Sequence, residues 1–66
     1  MRNGTRVTVV SGMSEFVGQT GVVVGTERSG RDPVMNRVRL DRPVNVTGVG
    51  LVEDDLWCNE ALRRAR

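Results

Sequence analysis

Apolar and polar residues along this chain alternate in short bursts, at the spacing of strands more than of helices. Val7 and Val9 alternate with Arg6 and Thr8, which marks Arg6–Val10 as a half-buried first strand. Ser11-Gly12 breaks it. The loop to Thr20 carries Met13 and Phe16, and a loop of this length with apolar residues folds back over the end of a core. Phe16 and Val17 are the expected lid. Gly21 then opens a second strand, Val22–Glu27, whose three consecutive valines imply burial on both faces or a strongly coiled strand. Gly25 inside that run predicts a bulge or sharp bend.

The cluster Arg28-Ser29-Gly30-Arg31-Asp32-Pro33 reads as a turn that projects as a basic hairpin tip. Val34–Leu40 is the third strand, with Val38 and Leu40 facing in and Arg37 and Arg39 facing out together. Asp41-Arg42-Pro43 is expected to end it, and Val44–Gly50 is either a short strand or an extended loop. Leu51-Val52 restarts a strand. Glu53-Asp54-Asp55-Leu56 looks like a single helical turn with Asp54 or Asp55 as its cap. Residues 57–66 are helix formers, with Asn59 able to cap and Arg63, Arg64 and Arg66 at the C-terminal end where cations are favoured.

Size narrows what such a chain can do. Its 66 residues make one domain, 1–66, with a polar and frayed 1–5 and a C-terminal helix or arm over 57–66. A domain this short buries only about 60% of the surface its unfolded chain exposes, and its core supplies roughly 3–5 kcal/mol. That core has to be valine and leucine, because Phe16 and Trp57 are the only aromatics. A surface site is expected before a pocket that hides a substrate. Cys58 is the only cysteine and there is no histidine, so neither an internal disulfide, a thiol–imidazole dyad nor a zinc site can be assembled within the chain. The lone cysteine points to a reducing, cytoplasmic home, and no apolar run approaches a membrane span. The expectation is a protein that is not an enzyme and uses no cofactor.

Charge changes the picture further. The net charge is +2, and all ten cations are arginine. In residues 1–50, seven arginines against four acids give +3; in residues 51–66, three against four give −1. The basic set is Arg6, Arg37 and Arg39 on strands, Arg28 and Arg31 on the hairpin tip, and Arg42 just beyond the third strand. Such a set can contact phosphates without reading sequence and with strong salt dependence; the bland alternative is ordinary solvated charge balanced by Glu27, Asp32 and Asp41. With no tyrosine and only two other rings, stacking on single-stranded bases is disfavoured. The acidic triplet Glu53-Asp54-Asp55 fits capping and solvation better than a Mg²⁺ site, because adjacent residues on a helical turn diverge.

Short strands, a long first loop and a single helical turn before the last strand are the layout of an SH3-like barrel. The fold class expected is therefore mostly β: an SH3-like barrel of about five short antiparallel strands with a one-turn helix and a short C-terminal helix. Val7-Thr8-Val9, Gly12, Phe16, Gly18-Gln19-Thr20-Gly21 and Val22-Val23-Val24 together resemble the KOW motif of ribosomal proteins and transcription elongation factors. The resemblance covers about a third of the chain, and the loop has Met13, Ser14 and Glu15 where that motif is basic. Its two last glycines, Gly18 and Gly21, are expected to turn the chain with positive φ. The other half, Val38-Arg39-Leu40-Asp41, Val44–Val49 and Glu53–Leu56, resembles the photosystem I subunit that helps dock ferredoxin, which is also an SH3-like barrel. Fold does not fix function.

The KOW resemblance and the basic bias imply a nucleic-acid-associated binding module acting through Arg6, Arg28, Arg31, Arg37, Arg39 and Arg42. The alternative is a protein–protein adaptor, which includes a small bacteriophage or accessory protein acting on a host or partner protein. It would grip its partner through Met13, Phe16 and Val17, through the Arg-Ser-Gly-Arg tip, or through the C-terminal helix. A second copy could join through a sheet edge or that same helix.

Overall fold

The computed structural model describes residues 1–28 and 30–65. Five antiparallel strands form one sheet: β1 (Arg6–Val9), β2 (Thr20–Glu27), β3 (Met35–Val46), β4 (Gly50–Cys58) and β5 (Leu62–Arg64). Their order across the sheet is β4-β3-β2-β1-β5, and a single 3₁₀ turn, Asn59–Ala61, joins β4 to β5.

The apolar alternation places the core as expected in the first half. Val7, Val9, Val23, Val38 and Leu40 are buried, joined by Val44, Val46, Trp57, Ala61 and Leu62. Phe16 folds back from the β1–β2 loop and meets Trp57 edge-on, with ring centroids 5.2 Å apart. Val9 and Gly18 clamp the loop's base, where the Gly18 N–H donates to the Val9 carbonyl at 2.8 Å. The bulge predicted at Gly25 is present: β2 and β3 change register between Val23 and Gly25.

The two glycines of the KOW-like segment do different work. Gly18 has φ +90°, the left-handed turn that glycine permits. Gly21 lies outside the positive-φ region and is instead a packing residue. A Cβ there would run into the Arg39 carbonyl and sit 2.8 Å from Val38 Cγ1. Glycine is required at that point because β2 and β3 approach closely.

Three expectations for the second half are corrected. Asp41-Arg42-Pro43 does not end the third strand; β3 runs through to Val46. Its register with β4 shifts between Arg39 and Val44, so these residues bulge out of the ladder and Pro43 has no N–H to contribute there. Glu53–Leu56 is not a helical turn but the middle of β4, where Asp54 and Asp55 lie opposite Arg39 and Val38. Charged side chains suit β4, which pairs only with β3 and forms one margin of the sheet.

Among the described residues the C-terminal helix expected over 57–66 is absent as well. Trp57 and Cys58 finish β4, the 3₁₀ turn follows, and Leu62–Arg64 pair with Val9–Val7. Pairing with an open β1 outweighs the helix propensity of these few residues. Arg66 and the Ser29 of the basic tip, both part of earlier expectations, lie outside the described residues.

Residues 1–5 make specific hydrogen bonds. The Gly4 N–H donates to the Val23 carbonyl at 2.7 Å, and the Val23 N–H donates to the Thr5 carbonyl at 2.9 Å. The Met1 amine donates to Asn36 Oδ1 at 2.8 Å. Asn36 is the one buried polar residue among those described, and its amide nitrogen donates in turn to the Trp57 carbonyl (3.1 Å) and to Asn59 Oδ1 (2.8 Å). Every hydrogen-bonding atom of its side chain has a partner, which is what makes a buried amide tolerable.

Candidate nucleic-acid interface

Cross-strand partners share a face, so the register places the basic residues. Arg6 lies opposite Val22, Val22 opposite Arg39, and Arg39 opposite Asp54, forming one row across the outer face of the sheet. Arg37 lies in the next row, opposite Gly25 and Leu56. The expected outward projection of Arg37 and Arg39 from one face is thus what the pairing gives.

Not all of these guanidinium groups are free. Arg37 donates through Nε to Glu27 Oε2 at 2.6 Å and through Nη1 to Asp54 Oδ1 at 2.7 Å. The hydrogen bond it donates to Glu27, opposed by partial desolvation and aided by the bond to Asp54 and both carboxylate charges, raises its pKa above the ordinary guanidinium value. Arg6 donates through Nη2 to Asp41 Oδ2 at 2.6 Å. The Thr20 hydroxyl donates to that same oxygen, also at 2.6 Å. The Thr20 hydrogen bond first, and Arg6 second, hold the Asp41 carboxyl below its usual range.

Arg28, Arg31, Arg39 and Arg42 make no ion pair among the described residues and are exposed. Arg28 and Arg31 belong to the connection between β2 and β3. Arg39 borders a shallow groove of about 360 Å³, whose other walls are Leu40, Pro43, Glu53 and Asp54. That groove is mixed in charge, with Glu53 and Asp54 beside Arg39.

The sequence pattern gave no warning of Arg63. Reading 57–66 as a helix put it at a helix end, whereas β5 places it opposite Thr8, which in turn faces Thr20. Arg63 therefore joins the outer face near Arg6. The only clue available was that Val7 and Val9 need a second neighbouring strand.

The apolar residues proposed for a partner separate. Phe16 is buried in the core and unavailable, while Met13 and Val17 are 52% and 45% exposed. The most exposed large apolar side chains are elsewhere, at Val49 and Leu51 on the β3–β4 hairpin. The acidic triplet is split by the strand: Asp54 binds Arg37, and Asp55 Oδ1 accepts from the Leu56 N–H. Among the described residues no three His, Cys, Asp or Glu side chains converge, and no helix is long and apolar enough to cross a membrane. Cys58 is a free, half-buried thiol. No protein-family model, curated protein or solved structure gives a significant match to the chain.

Proposed function

We propose that this chain is a small, non-enzymatic, SH3-like barrel module that binds nucleic acid through its phosphates. The barrel reading rests on the route from β4 to β5. These strands are the two outermost of the sheet, four strand spacings or about 19 Å apart if the sheet were flat. Only the Asn59–Ala61 turn separates them, and a 3₁₀ turn advances about 2 Å per residue. So short a link between the two margins supports a curled sheet, and a 3₁₀ turn before the last strand supports the SH3-like reading.

The observation that carries the functional reading is the exposed set Arg28, Arg31, Arg39 and Arg42, four guanidinium groups without carboxylate partners among the described residues. Guanidinium groups left free are the ones able to release counterions from a phosphate backbone. Arg6 and Arg37, engaged by carboxylates, contribute less. Titrating the protein against duplex DNA and a structured RNA at two salt concentrations tests this. The double variant Arg39→Ala/Arg42→Ala is expected to weaken binding uniformly across sequences and to lower the salt slope by about 2. Unaltered binding by that variant removes these residues, and no binding by the wild type at low salt removes the reading.

A second reading, an adaptor for a protein partner, is favoured by one observation: Val49 and Leu51 are 73% and 72% exposed on the same hairpin. Serine at both positions would abolish capture of such a partner and leave nucleic-acid binding intact.

A further inference from the structure

The junction of Arg6, Thr20 and Asp41 is built like an occupied anion site. One carboxylate oxygen receives a guanidinium N–H and a hydroxyl, each at 2.6 Å. These are the donors that phosphate oxygens take in protein–nucleic acid contacts. The donors come from β1 and β2, so the sheet itself holds them in place. The acceptor is held differently. Asp41 lies between Arg39 and Val44, where β3 has slipped out of register with β4. The junction is also exposed, with Arg6 and Asp41 side chains 47% and 38% accessible. A second cation stands nearby: Arg63 lies opposite Thr8, and Thr8 opposite Thr20, about 10 Å across two strand spacings. Arg63 has no ion pair among the described residues.

We propose that Arg6 and the Thr20 hydroxyl form a phosphodiester-binding site flanked by Arg63, and that Asp41 is its internal competitor, leaving when a nucleic-acid phosphate enters. The proposal rests on the phosphate-contact reading above and deepens it: it adds Thr20 and Arg63 to the contact set and makes Asp41 a brake on affinity. A purely structural Asp41, which only staples β1, β2 and β3 together, would behave in the opposite way when neutralised.

The experiment is fluorescence anisotropy with a labelled mixed-sequence duplex DNA across a salt series, using wild type, Asp41→Asn, Arg63→Ala and Asp41→Asn/Arg63→Ala. Asp41→Asn is expected to bind about fivefold tighter, with a salt slope steeper by about 1, the value for one added phosphate contact. Adding Arg63→Ala should cancel most of that gain, and Arg63→Ala alone should weaken binding about threefold. Affinity of Asp41→Asn equal to or below wild type, with an unchanged circular dichroism spectrum, overturns the brake. Should Asp41→Asn not fold, Arg63→Ala alone decides, and unaltered binding by it overturns the site. The two readings fail distinguishably: wild-type binding that Asp41→Asn leaves unchanged sinks this proposal alone, whereas no binding by wild type or by any variant sinks both.

Discussion

The two faces of β3 hold polar side chains under opposite conditions. On the inner face Asn36 is fully buried and carries three hydrogen bonds, to the Met1 amine, Trp57 and Asn59. On the outer face Arg37 and Asp41 make bonds that are as short or shorter, yet both are open to water. Geometry alone would rank the outer contacts higher. Solvent reverses that order, because an exposed ion pair exchanges water for a partner at little net gain, whereas a buried amide that loses its partners has nothing to replace them. Polar residues inside β3 therefore define the fold, and those outside are available for binding.

The largest effect expected from breaking this contrast is on the inner side. Asn36→Leu removes the buried bond to the Trp57 carbonyl and the part-buried bonds to Asn59 and the Met1 amine, and should cost about 2–4 kcal/mol in urea unfolding. Against a core that supplies only roughly 3–5 kcal/mol, that leaves the chain close to unfolding. A loss of under about 0.5 kcal/mol would mean that water satisfies these groups, and the contrast would dissolve. Next comes Gly21→Ala, which presses a methyl into Val38 and the Arg39 backbone and should cost about 1–3 kcal/mol, read as a fall in the urea midpoint.

The smallest effect belongs to the outer side and shows as pH dependence. Asp41 has its folded pKa lowered by Thr20 and Arg6. Its contribution to stability is thus present above the unfolded carboxyl value, about 3.9, and is lost as pH falls through the lower folded value. Asp41→Asn should flatten the acid limb of a thermal-melt series below about pH 4 and leave the melting temperature at neutral pH nearly unmoved. A large neutral-pH drop would move Asp41 into the same class as Asn36.

Legibility in the sequence follows the same division. Where hydrophobic residues alternate, as in Val7-Thr8-Val9 and Val38-Arg39-Leu40, both the strand and its inward side could be read directly. The bulge beside Gly25 was readable because glycine inside a valine run has few other uses. Glu53-Asp54-Asp55 misled because local chemistry favours a capped turn, while pairing with β3 is a tertiary fact that no window around residue 54 contains. Pro43 misled for a related reason, since only the slipped register between Arg39 and Val44 lets a strand accommodate it. Asn36 could not be identified at all: flanked by Met35 and Arg37, it looks like any exposed polar residue until its partners arrive from the chain's start and from residues 57 and 59. Of the candidate site, Arg39 and Arg42 were visible as basic residues, whereas the pairing of Arg6 with Asp41 and the arrival of Arg63 depend on strand order.

The pairing of β1 with β5 sets the order in which this molecule can be made. Val7, which comes before the other buried residues of this sheet in chain order, has Arg64 as its partner. The β2–β3 and β3–β4 hairpins can zip locally as they emerge, but one side of β1 waits until nearly all of the described chain has been synthesised. The nascent chain therefore carries a β1 open on one side until β5 has emerged. Completion of the sheet is therefore governed by long-range loop closure between β1 and β5.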